Sequence, residues 1–128
     1  MNHLKTFRIA LLIPILTVAS ETMTQAKGNT ATVKGYVLDS ACAFTKDLKK
    51  PVSRACAVAC AKSGSPLVIL ADDGTLYWPI SRSIPATGQN NRLMEFAGKR
   101  VSVTGEVLEK GGSHALIIEK IELAPSAE

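Results

Sequence analysis

Three cysteines hold most of the reactive chemistry in this chain. Cys56 and Cys60 stand four residues apart in Ser53-Arg54-Ala55-Cys56-Ala57-Val58-Ala59-Cys60-Ala61-Lys62-Ser63-Gly64, the one segment after residue 26 whose pattern is plainly helical. At about 3.6 residues per turn, that spacing puts both sulfurs on one helix face. Cys42 lies upstream, where a strand is expected to end. Thiolates are both nucleophiles and soft metal ligands, so three readings stay open.

The favoured reading is a structural disulfide from Cys42 to a helix cysteine. Cys56 to Cys60 is a poor pair, because neighbours one turn apart on a regular helix seldom reach bridge geometry. Closing the loop from Cys42 would contribute roughly 3 kcal/mol in the chain-entropy model. The third thiol would then pack as a small apolar group. A second reading is a three-thiolate site for copper or zinc on Cys42, Cys56 and Cys60, with His114 as a candidate further ligand. The third is thiol exchange, in which Cys56 near the helix N-terminus has a depressed pKa and Cys60 or Cys42 resolves the mixed disulfide. No cofactor is expected under the favoured reading; copper or zinc is the alternative. The i, i+3, i+4, i+7 stripe of Cys56, Ala59, Cys60 and Ser63 is expected to be the face that nests against the sheet.

Tyr77 beside Trp78 marks a candidate ligand groove, with core packing as the competing role. Asp72 and Asp73 precede Gly74 and read as turn residues rather than an acid pair. The chain has no Ser/His/Asp set, phosphate loop or nucleotide fingerprint, and no residue is assigned a catalytic role. Stacking aromatics on a basic face would be needed to hold single-stranded nucleic acid. Tyr36, Phe44, Tyr77, Trp78 and Phe96 are scattered instead, so no nucleic acid partner is expected.

These side chains need elements to position them, and the chain outside the cysteine segment reads as short strands. Thr32 to Asp39 is enriched in β-branched and aromatic residues, with Gly35 marking a bulge or barrel corner. Ser40 to Lys50 has no clear period and reads as a solvated loop. The helix is expected to start at Pro51 or Ser53 and to stop at Gly64. Leu67 to Leu70 and Thr75 to Ile80 flank Asp72-Asp73-Gly74 as a hairpin, with Pro79 pushing the second strand to an edge or an end. Ser81 to Asn91 reads as a surface loop, and Arg92 to Gly98 as one helical turn. Lys99 to Glu109 alternates with a kink at Gly105, and after Gly111-Gly112 the chain returns as His114 to Leu123. The expectation is a mainly β fold: a small five-stranded OB-like barrel, closed by contact of its first strand with its last, with one short cysteine-bearing α-helix inserted between strands 1 and 2.

Of the 128 residues, positions 1–26 read as a signal peptide. Lys5 and Arg8 precede an apolar run from Ile9 to Ala19, and small residues place cleavage after Ser20 or Ala26. The run is shorter than the roughly 20 residues a membrane span needs. Residues 27–128 form one expected domain, with thirteen Lys and Arg against ten Asp and Glu, a net charge of +3. The expected location is the periplasm or outside the cell, without a stable membrane anchor. A monomer is expected, with a small molecule or a protein as its unknown partner.

Gly35-Tyr36-Val37-Leu38-Asp39, then Cys42, then Cys56 and Cys60, then Ala97-Gly98-Lys99-Arg100-Val101-Ser102-Val103-Thr104-Gly105 resemble small exported bacterial proteins of uncharacterised function with an OB-like barrel. The resemblance covers about Val33 to Ile121 and implies the same barrel and the Cys…CxxxC arrangement. Relatives often carry a histidine a few residues after the first cysteine; here Ala43-Phe44-Thr45 stands there. Under this reading the protein is an exported binding or accessory module, with thiol-redox or soft-metal binding as the alternative.

Overall fold

The alternation from Arg100 onward folds as a long strand whose Val101 and Val103 are fully buried, and its partners build the rest of the architecture. The structure, a computed structural model, describes residues 28–46 and 53–125. The expected signal segment, its cleavage points and a helix start at Pro51 lie outside the described residues. Five strands are present: β1 (Asn29–Asp39), β2 (Leu67–Ala71), β3 (Leu76–Pro79), β4 (Arg100–Lys110) and β5 (Ser113–Leu123). They form a closed barrel in the order β1-β2-β3-β5-β4. The mainly β, five-stranded barrel read from the sequence is therefore the fold.

The seam differs from the expected one. The first strand closes on β4, antiparallel from Asn29↔Val107 to Tyr36↔Arg100, while β3 pairs with β5 in parallel. Strands β4 and β5 are joined by Gly111-Gly112, both at positive φ, into a long hairpin that offers one free edge to each neighbour. Pairing along that edge also extends β1 back to Asn29, beyond the expected start at Thr32. Gly35 sits where β1 pairs with β2 and β4 at once, opposite both Ala71 and Val101. A Cβ there would collide with the Leu70 carbonyl, which is why the corner takes glycine. The expected kink at Gly105 is a register shift between Thr104 and Gly105.

Odd and even positions of β1 to β3 feed two separate apolar clusters. Val33, Val37, Leu67, Ile69 and Tyr77 face the barrel interior with Val101, Val103 and Leu116. Leu93 and Ala97, carried on the β3–β4 connection by α3 (Asn90–Leu93) and the helical turn after it, are fully buried in the same interior. Leu38, Val68, Leu70, Leu76 and Trp78 point the other way, into a smaller cluster outside the barrel with Cys42, Ala43, Cys56 and Cys60. A strand covered on both faces has no polar side to show, and this accounts for the unbroken Leu67-Val68-Ile69-Leu70 run.

Two helices, rather than one, lie between β1 and β2: α1 (Ser40–Thr45) and α2 (Arg54–Lys62). The first falls in the stretch expected to be a loop. Asp39 caps it, accepting the Cys42 backbone N–H at 3.0 Å, and the Ser40 N–H donates to the Pro66 carbonyl at 2.8 Å. Helix α2 is held at both ends by side chains. Arg54 Nη1 donates to the carbonyls of Glu95 and Ala97 at 3.1 and 2.7 Å, and Asn90 Nδ2 donates to those of Ala61 and Ser65 at 3.3 and 2.8 Å.

Candidate metal centre

The cysteines meet because α1 packs on the outer cluster of β1 and β2, while α2 seats its alanines on the interior cluster and turns Cys56 and Cys60 toward the outer one. Helix α2 rests on Ala57 and Ala61, which are buried against the barrel core, whereas Ala59 and Ser63 are exposed. The expected contact stripe of Cys56, Ala59, Cys60 and Ser63 is thus replaced by an alanine pair one position further along. Alanines let the helix backbone approach the sheet closely, and the turn this imposes leaves Cys56 and Cys60 at the margin, half-buried and facing α1. Cys42 is buried at 5% exposure, on the turn of α1 that Asp39 caps.

One sulfur from each of Cys42, Cys56 and Cys60 lies within 4.8 Å of the other two. Cys42 Sγ and Cys56 Sγ are 3.7 Å apart. A disulfide requires about 2.05 Å. The expected bridge from Cys42 is therefore not formed, and all three cysteines are free.

The surroundings make the three sulfurs unequal. Cys56 accepts hydrogen bonds from the Cys42 thiol and from Lys46 Nζ at 3.6 Å, and together these hold its pKa below the ordinary thiol value. Cys42 is pushed up to about 12, first by the Asp39 carboxylate beside its thiol and then by burial. Burial also raises Cys60. Asp39 is fully buried, and burial by itself would raise its carboxyl. The Cys42 side chain and backbone N–H beside it outweigh that and keep it below the ordinary carboxylate range.

Asp39 and Lys46 also belong to the site. The first was legible as an Asp three residues before Cys42, in position to cap a helix starting at Ser40. Nothing local marks Lys46, which reads as one of several loop lysines and reaches Cys56 only through the fold. His114 does not join the sulfurs. It stands at the start of β5 against Tyr77, with ring centroids 5.6 Å apart and Nδ1 3.3 Å from Glu109 Oε1. Tyr77 and Trp78 do not line one groove: Tyr77 packs on the barrel cluster and Trp78 on the thiol cluster, with Phe44 of α1 at 6.4 Å from the Trp78 ring. Asp72 bonds Arg100, and Asp73 accepts the Thr75 N–H at 2.8 Å, both as turn residues.

Three thiols at this separation, one biased toward the thiolate and one cation beside it, can either gather a thiophilic ion or exchange with a disulfide. Comparison with family models, curated proteins and solved structures finds no match to this chain.

Proposed function

We propose that this protein is an exported module that binds a soft metal ion, Cu(I) or Zn(II), through Cys42, Cys56 and Cys60. The observation that carries this reading is the sulfur triangle, with every edge within 4.8 Å. Three sulfurs bonded at about 2.3 Å to one ion stand about 3.8 Å apart in a tetrahedral site and about 4.0 Å apart in a planar one. The triangle is therefore close to the size a metal demands, and a disulfide would need one edge to contract by well over an ångström. Lys46 beside Cys56 offsets part of the negative charge that three thiolates bring. Ligation also explains how free thiols persist in an oxidising compartment, because a bound ion occupies the electron pair that an oxidant attacks.

The 3.7 Å contact between Cys42 and Cys56 favours a second reading, a thiol pair that cycles through a Cys42–Cys56 disulfide. Anaerobic purification followed by zinc and Cu(I) titration separates the two. The metal reading expects one tightly held ion per chain and its loss in Cys56→Ser. Three reduced thiols that hold neither ion would sink it and leave exchange as the better account.

A further inference from the structure

Asp39 is the one buried charged side chain among the described residues, and its carboxyl is only half used. Oδ1 accepts the Cys42 N–H at 3.0 Å and the Ser65 hydroxyl at 3.5 Å. Oδ2 is buried without a hydrogen-bond partner among the described residues. No basic side chain among them pairs with Asp39, since the arginines and lysines that form ion pairs do so with Asp72, Glu106 and Glu122. A buried carboxylate oxygen with neither donor nor cation is costly, and such oxygens ordinarily pair or coordinate metals. Asp39 stands at the edge of the sulfur group, because it caps the turn of α1 that carries Cys42, whose backbone N–H lies 3.0 Å from its other oxygen.

We propose that Asp39 is the fourth ligand of the centre, its Oδ2 joining the sulfurs of Cys42, Cys56 and Cys60 in a four-coordinate zinc site. The inference rests on the three-thiolate reading and decides between its two ions. Cu(I) is satisfied by soft sulfur donors, whereas Zn(II) takes carboxylate oxygen readily and closes structural sites at four ligands. Asp39 is not among the groups already within 4.8 Å of one another, so ligation requires the carboxyl to turn toward the ion. Oδ2 is the atom placed to do so, since it gives up no hydrogen bond while Oδ1 keeps the helix cap. Binding releases the three thiol protons and forms three Zn–S bonds and one Zn–O bond. The ion's +2 against four anionic ligands leaves a site charge of −2, with Lys46 on its exposed side.

Asp39→Asn tests the assignment, because asparagine caps a helix as well as aspartate does but is a neutral, weaker ligand. Zinc, cobalt(II) and Cu(I) are titrated into the reduced wild type, Asp39→Asn and Cys56→Ser, with circular dichroism to confirm folding. Loss of an outer hydrogen-bond partner costs 10- to 100-fold in metal affinity, so loss of a ligand should lower zinc affinity by more than about 100-fold. Asp39→Asn should also shift the visible cobalt bands and leave Cu(I) affinity unchanged. Zinc affinity and cobalt bands that stay at wild-type values in Asp39→Asn, while Cys56→Ser abolishes both, would overturn the fourth ligand and leave the thiolate site standing. A wild type that binds none of the three ions removes both readings together. Should Asp39→Asn fail to fold, X-ray absorption of the wild-type zinc adduct decides: three sulfurs at about 2.3 Å with one oxygen near 2.0 Å are expected, and a shell of sulfur alone refutes the assignment.

Discussion

Alkylation of the reduced, metal-free protein should select Cys56 over Cys42 by a margin that follows from their surroundings. Cys42 is pushed up to about 12, whereas Cys56 lies below the ordinary thiol value of 9.0. At pH 7.5 a thiol of pKa 12 is ionised to about 3 parts in 100,000 and one of pKa 9 to about 3%, a ratio of roughly 1,000. The more basic thiolate is intrinsically the better nucleophile; with a Brønsted slope of about 0.45, three pKa steps return roughly 20-fold. The net preference for Cys56 is then about 50-fold or more, and the burial of Cys42 adds to it. Iodoacetamide is added for graded times, the reaction is quenched, and each cysteine-containing peptide is quantified by mass spectrometry. Cys60, raised by burial, should fall behind Cys56 as well. Equal rates at Cys42 and Cys56 would refute the argument, since they would mean that neither the Asp39 carboxyl nor Lys46 acts on the thiols as their positions require. Saturating zinc should protect all three residues if they are ligands, and only the pair involved if the metal bridges two.

Two further outcomes follow from the helix face and from the N-terminal segment. Ala57→Leu forces three extra carbons into a fully buried contact with the barrel and should cost about 1–3 kcal/mol, whereas Ala59→Leu on the exposed face should stay within about 0.5 kcal/mol. Urea denaturation measures both, and equal costs would contradict the alanine contact. The basic and apolar start of the chain is expected to direct export and to be cut after Ser20 or Ala26. Intact mass of protein recovered from the periplasm or medium checks this, and a mass that retains Met1 to Ser20 would refute removal.

Local patterns in the sequence determine those features of this protein whose causes lie within a few residues. The alternation after Arg100, the Asp72-Asp73-Gly74 turn and the glycines at both barrel corners encode the strands and their bends, because side-chain period and backbone sterics are short-range constraints. Four-residue spacing likewise fixes Cys56 and Cys60 on one helix face. Tertiary structure decided what depends on partners far along the chain. Strand β1 closes on β4 rather than on the last strand because the β4–β5 hairpin presents that edge to it. The second helix forms over a segment with no helical period because Asp39 caps it and its Cys42 and Ala43 cover apolar positions on the outer face of β1 and β2. Burial of Ala57 and Ala61 then turns α2 so that its cysteines face α1, which brings together Asp39, Cys42, Lys46, Cys56 and Cys60. No local rule could place those five groups together, since the encounter is a consequence of how one short helix packs on the barrel interior and the other on its outer cluster.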